Sequence, residues 1–371
     1  MKRGFKLKKI MKNKNYVENL YIMLTASILI HYVLVILITL LILKEIFFSG
    51  EYKKILKDKS LIVVEVILGT ATVTSLFYRN YYGLIAIPIL LCLMVGRYYT
   101  LEIGNEFKKY NLELIGKMSL FPFIISLVEY FLTKDRVGYF AYLNPNYLGS
   151  IMMVTSIINL YFMFEKKSKL NFFIFILNIA TILMSGSRSA LASTMIGTVV
   201  LLFYFLEKRY FAGCLLLLAG YILGVYFGRF PFLRMDTVGE YYRLRADIIK
   251  TALKIFKGTN IFYGHGNFYY YKLTNYVYPH SHNALTESLL SYGLIGTLAL
   301  AGVFLKYLYE IIKSDKKHTL KIALILGMTA HNFTDFTIFW IQTVLLFIMA
   351  MSYVENKDEI KKFKIRIYRN R

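Results

Sequence analysis

The sequence predicts an all-α, polytopic integral membrane protein with about 11–12 transmembrane helices and one large extracytoplasmic loop. The 371 residues are 57% hydrophobic, and the mean hydropathy is +0.50, values typical of membrane proteins rather than soluble domains. Apolar runs of about 20 residues, the length of a spanning helix, recur along the chain. Lys and Arg separate these runs, so the positive-inside bias explains most of the net charge of +23, and we expect no nucleic-acid binding.

The apolar runs give the order of the predicted membrane segments. The candidates are 19–48, 61–77, 81–98, 115–132, 148–164, 170–185, 189–206, 210–228, 284–308, 319–333 and 337–354. The first run is too long for one crossing and short for two. If both basic termini are cytoplasmic, this run must cross twice with a break near His31 and Tyr32. The count therefore favours twelve crossings over eleven.

The same count divides the chain into five parts. They are a cytoplasmic basic tail (1–18), N-terminal transmembrane helices (19–228), an extracytoplasmic loop with an amphipathic helix (229–283), C-terminal transmembrane helices (284–354) and a second cytoplasmic basic tail (355–371). No small-residue cleavage site follows the first apolar run, so we expect the first segment to remain uncleaved.

The predicted outer loop is unusually basic. It contains eight basic residues against three acids, Asp236, Glu240 and Asp247; the basic ones are Arg229, Arg234, Arg243, Arg245, Lys250, Lys254, Lys257 and Lys272. A positive outer loop runs against the positive-inside bias, and an anionic ligand is the simplest explanation. The alternative is that long loops translocate regardless of their charge.

Two arginines are the main candidates for binding such an anion. In the amphipathic segment 241–257, Arg245 shares a stripe with Ile249, Ala252 and Phe256, whereas Arg243 shares the solvated stripe with Asp247 and Lys250. Arg188 lies in the small-residue turn 184–190 at a membrane edge. A guanidinium binds phosphate oxygens in bidentate fashion, so Arg188 and Arg245 suit a diphosphate. Snorkelling of Arg188 and a buried ion pair of Arg245 are the alternatives.

Histidines and polar residues stand at two other predicted membrane edges. His280, His282 and Asn283 come just before the apolar run 284–308, where Asn283 can cap the helix and fix an imidazole. Asp335 ends the polar stretch that begins at His331, and it could orient a histidine, pair with an arginine or act as a local cap. Both histidines could equally be plain interfacial residues.

These motifs together resemble the O-antigen ligase / O-antigen polymerase superfamily of bacterial envelope proteins. The resemblance rests on Gly-Ser-Arg-Ser-Ala at 186–190, on Arg245…Ala252-Leu253…Gly264-x-Gly266, and on His282-Asn283 with Gly293-x-x-Gly296. Phe140-x-x-Leu-Asn-Pro-Asn146 and His331…Asp335 resemble weaker landmarks of the family. Each motif alone is weak, but they occur in the family's order over roughly residues 140–340.

The resemblance implies a glycosyltransferase whose donor is an oligosaccharide on a polyprenyl (undecaprenyl) diphosphate, acting at the outer face of the bacterial cytoplasmic membrane. It assigns Arg188 and Arg245, with Arg243 as a further candidate, to the diphosphate, and His282 to the general base, with His280 as the weaker choice. Asn283, Asp335 and Asn146 become supporting residues. It implies no cofactor and no metal, and as partners the lipid-linked oligosaccharide, membrane lipid, flippase proteins and chain-length regulators.

Two positions depart from the family pattern. Ile249 stands where the family often has Trp, and Thr286 where it more often has Leu. Neither change removes a polar group.

A composition rich in Lys, Ile, Asn and Tyr is typical of AT-rich genomes, such as those of low-GC Gram-positive bacteria. Because those bacteria have no lipid A core to accept the glycan, this composition favours a polymerase over a ligase. A flippase or transporter of lipid-linked oligosaccharide is the alternative in another class, but its cations should line a mid-membrane cavity. A membrane sensor or scaffold would not need His282 or the arginines.

Overall fold

The computed structural model describes residues 2–230, 238–314 and 316–355, and this part of the chain is helical with no β-strand. In chain order the helices are α1 (Lys2–Ile30), α2 (Tyr32–Ser49), α3 (Tyr52–Ile55), α4 (Lys59–Phe77), a 3-10 helix (Tyr81–Ile85), α5 (Ala86–Glu102), α6 (Asn105–Met118), α7 (Leu120–Thr133), α8 (Pro145–Lys166), α9 (Lys169–Ser185), α10 (Arg188–Phe205), α11 (Lys208–Tyr226), α12 (Val238–Ile255), α13 (Asn260–Tyr263), α14 (Tyr269–Leu273), α15 (Ala284–Lys313), α16 (Thr319–Thr334) and α17 (Ile341–Met351). Arg234 and Asp236 of the predicted loop, and the predicted tail after Glu355, lie outside the described residues.

Within the described residues, eight helical segments are long and apolar enough to cross a membrane. They are Tyr32–Ser49, Lys59–Phe77, Tyr81–Glu102, Asn105–Thr133, Pro145–Lys166, Arg188–Phe205, Lys208–Tyr226 and Ala284–Lys313. Two shorter apolar helices, α9 and α17, accompany them. The predicted all-α polytopic membrane fold is therefore confirmed.

The predicted break in the first apolar run is also confirmed. α1 ends at Ile30 and α2 begins at Tyr32, and the extended residue between them, His31, caps α2 by accepting a hydrogen bond from Val33 N at 3.2 Å. Two other predicted bounds were wrong. The run predicted as 115–132 is part of a helical segment that starts at Asn105, and the run predicted as 337–354 is helical only over α17.

α8 lies at the centre of the bundle, with every residue from Leu148 to Phe162 buried. A helix buried all round has no solvent for its polar side chains, so they bond to neighbouring helices. Asn159 Nδ2 donates to the Gly116 carbonyl of α6 at 3.0 Å, and Asn178 Nδ2 of α9 donates to Thr155 Oγ1 at 3.2 Å. α11, in contrast, has no buried residue and lies at the periphery.

The segment before α15 packs backbone against backbone on that helix. Gly293 kinks α15 with φ 65° and ψ −171°, and a Cβ there would lie 2.4 Å from Phe262 backbone atoms. His265 N and Gly266 N donate to the Leu290 and Ser291 carbonyls at 2.8 and 3.0 Å. The missing side chain at Gly293 therefore lets the short helix α13 approach α15 closely.

Candidate functional site

Asp335, the C-cap of α16, is the centre of the candidate site and is 1% exposed. Its Oδ1 lies 3.4 Å from His280 Nε2 and 3.3 Å from His282 Nδ1, and accepts a hydrogen bond from Phe336 N at 2.8 Å. Burial alone would raise the pKa of Asp335, but the hydrogen bond from His282 and the nearby histidines lower the pKa well below its usual range. The carboxylate therefore stays charged while two imidazoles converge on it.

His282 is the more exposed of the two histidines that contact Asp335. Its backbone is left-handed, with φ 54°, a conformation that costs free energy in a non-glycine residue and is often found at functional sites. Its side chain is 20% exposed, whereas that of His280 is 4% exposed. Because Nδ1 faces the carboxylate, that nitrogen carries the proton, and Nε2 is left as an acceptor. Such a carboxylate–imidazole pair has the geometry of a general base.

His280 is the buried histidine of the pair. Its Nδ1 accepts the backbone N–H of His282 at 3.3 Å, so the proton of the neutral ring belongs on Nε2, which faces Asp335. Burial lowers the pKa of His280 to about 4, and the charges of His282 and Arg245 act in the same direction, while Asp335 opposes them. A buried neutral imidazole of this kind suits the positioning of His282 and Asp335.

A second buried carboxylate holds the segment that carries both histidines. Glu287 Oε2 accepts Ser281 N at 2.8 Å, and its Oε1 accepts Ser291 Oγ at 3.2 Å. Asn283 caps α15 as predicted, because its Oδ1 accepts Thr286 N at 3.0 Å. Its Nδ2 donates to the Phe333 carbonyl at 2.9 Å and not to an imidazole. The bond from Asn283 to Phe333 ties the start of α15 to the end of α16.

His331 connects the cluster to the helices around it. It is fully buried, with Nε2 3.5 Å from both Ser150 Oγ of α8 and Ser189 Oγ of α10, and Nδ1 3.2 Å from Thr337 Oγ1. The first turn of α10, which begins at Arg188, therefore lies beside the same helix end that carries Asp335.

Arg188 is the first residue of α10 and is half-buried. The turn before it needs Gly186, whose φ is 65°. Arg136 covers this turn: its Nε donates to the Ser185 carbonyl at 2.9 Å. The structure thus brings a second arginine, one that the motifs did not indicate, to the turn at which Arg188 begins α10.

The two arginines of α12 differ as the amphipathic pattern predicts. Arg245 is half-buried on the same face as the buried residues Ile248 and Ala252, and its charge acts on His280. Arg243 is exposed on the other face, where Asp247 and Lys250 are also exposed. The structure brings Arg245 to the histidine cluster and leaves Arg243 on the solvent side.

Asn146 lies in the first turn of α8, where its backbone N–H donates to Asn144 Oδ1 at 2.8 Å, and its side chain is half-buried. The next residue, Tyr147, stacks on Trp340 with ring centroids 5.1 Å apart. The contact from α8 to the cluster is made by Ser150, one turn further on.

His280, His282 and Asp335 also form a group that could hold a metal ion, because one ligand atom from each lies within 4.8 Å of the others. A metal-bound histidine normally donates its second ring N–H to a neighbour. His280 does the opposite, since its Nδ1 already accepts the His282 N–H and its Nε2 would have to lose the proton. The donor set fits a hydrogen-bonded network better than a metal site.

Residues 173–301 match the family described as O-antigen ligase. The match includes Arg188, Arg245 and His282 and ends before Asp335. It confirms the resemblance to the O-antigen ligase / polymerase superfamily and implies glycan transfer of the ligase or polymerase type by a multi-pass membrane enzyme. No curated protein matches the chain.

Several residues of the site were not found from the sequence. Glu287 could have been suspected, because it is a lone acid in the first turn of an apolar helix. Ser150, Ser189 and Arg136 carry no such signal, since serines are common in membrane helices and a loop arginine is ordinary. The sequence analysis also proposed no partner for His265, which bonds to Asn260 Nδ2 at 2.9 Å and stacks on Tyr269.

Proposed function

We propose that this protein is a glycosyltransferase that polymerises oligosaccharide repeat units carried on undecaprenyl diphosphate, outside the cytoplasmic membrane. The observation that carries the proposal is the His282–Asp335 pair, in which a buried carboxylate contacts Nδ1 and leaves Nε2 of a partly exposed imidazole to accept a proton. A sugar hydroxyl is the acceptor group that needs such a base.

The reaction is a direct displacement at the anomeric carbon of the donor. The acceptor hydroxyl oxygen attacks this carbon, His282 Nε2 takes the hydroxyl proton, and the bond from the anomeric carbon to the diphosphate oxygen breaks. The lipid diphosphate leaves with the electron pair of that bond, and attack from the opposite face inverts the configuration. Because the leaving group is already anionic, it needs neutralisation of developing charge rather than protonation.

Arg188 and Arg245 supply this neutralisation. Arg245 is supported by its place on the half-buried face of α12 and by its electrostatic effect on His280. Arg188 is supported by its place at the start of α10, whose next residue, Ser189, contacts His331. Two planar guanidinium groups provide bidentate donors to phosphate oxygens and can serve in place of a metal ion, so we propose a metal-independent enzyme.

An apolar groove beside the histidines suits the polyprenyl chain. Its volume is about 380 Å³, and its lining begins at Ala284 and Phe333, next to the site, and continues past Ala301 to Phe304 and Phe347. The 21 residues from Ala284 to Phe304 correspond to at most about 30 Å along α15. A lipid-linked donor could therefore place its diphosphate near the arginines and its chain between α15, α16 and α17.

The size distribution of surface polysaccharide in a deletion strain tests the proposal. The deletion strain is complemented either with the wild-type gene or with the His282→Ala variant, at matched protein levels. A polymerase predicts single repeat units in the deletion strain and in the His282→Ala strain, and long chains with wild type. Loss of all surface glycan, with donor accumulating outside, would instead indicate a ligase. Donor trapped on the cytoplasmic side would indicate a transporter and would contradict the proposed chemistry.

A further inference from the structure

A separate cavity of about 640 Å³ lies at the opposite end of α16 from Asp335. It is bounded by the last turns of α10 and α15, by Ser314 and residues 316–318, and by the first half of α16. α16 has 16 residues, so about 24 Å separates its two ends. The cavity is therefore distinct from the candidate catalytic site and does not depend on the function proposed for it.

The walls of this cavity are apolar and its rim is cationic. Phe205, Ile311 and Ile322 belong to the walls, and Lys316 and Lys317 supply the positive charge of the rim. His318 lies beside them, and burial and the neighbouring lysines lower its pKa and favour the neutral ring. Ile312, which also lines it, is 81% exposed, so the cavity opens towards the outside of the bundle. A basic pocket between membrane helices that is open to the lipid side has the character of a site for an anionic headgroup.

His318 gives an independent indication of a ligand. Both of its ring nitrogens are buried and have no hydrogen-bond partner among the described residues. Buried polar atoms nearly always have a partner, so the ring is expected to turn towards an acceptor when a ligand occupies the cavity that it lines. The charges of Lys321 and Lys316 act on His318. Glu355, whose charge interacts with that of Lys321, accepts Leu320 N at 2.7 Å through Oε1, and its buried Oε2 has no hydrogen-bond partner among the described residues.

We propose that this cavity binds the phosphate headgroup of an anionic phospholipid. The phosphate accepts from His318 and is attracted by Lys316, while the upper parts of the acyl chains lie against Ile311, Ile322 and Phe205. The apolar walls favour a lipid over free phosphate, because a soluble anion would leave them exposed to water. Each lysine near such a headgroup strengthens binding by about fivefold.

Native mass spectrometry of the full-length protein, with phosphatidylglycerol or phosphatidylethanolamine added in detergent, tests this proposal. The variants are Lys316→Glu, which changes an exposed side chain, and the double variant Lys316→Gln/His318→Gln. A matched control, Lys53→Gln/Lys169→Gln, removes two exposed lysines elsewhere, one in α3 and one at the start of α9. Melting temperatures of all four proteins are measured in parallel, so that unfolding is recognised.

We expect wild type and control to retain phosphatidylglycerol in preference to phosphatidylethanolamine, and both site variants to lose that preference by about fivefold or more. Equal retention of the two lipids by wild type would overturn the proposal, as would undiminished phosphatidylglycerol binding in folded site variants. Displacement of the lipid by millimolar inorganic phosphate would also overturn it, by identifying the site as one for a soluble anion.

Discussion

Two buried carboxylates, Asp335 and Glu355, lie at the two ends of α16. Asp335 is 1% exposed and Glu355 is 3% exposed, so burial does not distinguish them. Glu355 accepts the backbone N–H of Leu320 at the start of the helix, and burial raises its pKa to about 7. The pKa of Asp335 is lowered instead, because histidine side chains approach its oxygen.

The difference lies in the partners. A carboxylate bonded to backbone amides closes the end of a helix, which is a structural role. A carboxylate that contacts a partly exposed imidazole orients that imidazole and stabilises its protonated form, which is a chemical role. Buried acids in membrane proteins are functional candidates in general, but only the second arrangement supports a reaction.

The largest expected effect comes from substitutions of His282 and Asp335, at the Asp335 end of α16. His282→Ala removes the base and should lower the rate of glycan transfer by about 10²–10⁴-fold. Asp335→Asn should be of similar severity, because an amide can present its NH₂ group to His282 Nδ1 and favour the wrong tautomer. The measurement is turnover of a lipid-linked oligosaccharide donor by purified protein.

Glu355→Gln is the control at the other end of α16. It changes an equally buried carboxylate and should leave turnover within about twofold of wild type, since ordinary structural substitutions act on stability. A His282→Ala protein that keeps more than a tenth of wild-type turnover would exclude the imidazole as the base.

Substitution of Arg188 or Arg245 should have the next largest effect. It should lower turnover by about 10–100-fold, which corresponds to the loss of one or two charge-assisted hydrogen bonds. Arg188→Lys and Arg245→Lys should fail nearly as badly as the alanine variants, because lysine lacks the bidentate fork. Arg243→Ala, on the exposed face of the same helix, is the matched control and should be nearly neutral. Full turnover with Arg188→Lys would remove the diphosphate argument for that residue.

Much of the fold was predictable because hydropathy and length determine membrane helices. Even the break at His31 follows from the expectation that both basic termini are cytoplasmic, which requires the first apolar run to cross twice. The helix bounds near Asn105 and Ile341 were not predictable. The first turns of α6 contain charged residues, and the last predicted run contains the non-helical stretch before Trp340. Such bounds depend on tertiary packing rather than on local hydropathy.

The candidate site was partly predictable for a related reason. A charged residue at the edge of an apolar run is conspicuous, which is how Arg188, His282 and Asp335 were selected. Their convergence was not visible, because 53 positions separate His282 from Asp335 in the chain. The resemblance already favoured His282 over His280, but both precede the same helix, and only the fold shows which ring is buried.

The apolar groove predicts a smaller effect, about tenfold. Ala301→Trp should obstruct the groove and raise the KM for a donor with a long polyprenyl chain, because contacts to several CH₂ groups are lost. A donor with a short, two-isoprene chain should be little affected. Leu216→Trp, at a position of α11 that is 74% exposed, is the control for adding an indole to the outside of the bundle. Equal losses with both donors would place the chain elsewhere.

The smallest expected effect is on stability, and it has opposite signs at the two ends of α16. Folding lowers the pKa of His280 from 6.5 to about 4, so the unfolded chain binds the extra proton in this range and stability is lost as the pH falls through it. Folding raises the pKa of Glu355 from 4.5 to about 7, so here the folded protein holds the extra proton and stability is lost as the pH rises.

Melting temperatures of the detergent-solubilised protein between pH 4.5 and 7 separate the two contributions. His280→Gln should remove a component that rises with pH, so the variant's melting temperature falls less on acidification than that of wild type. Glu355→Gln should remove a component that falls with pH, so its melting temperature falls more on acidification. Parallel profiles for both variants and wild type would mean that neither group changes its protonation on folding. Asp335 does not contribute to the slope in this range, because its lowered pKa makes it lose stability only below it.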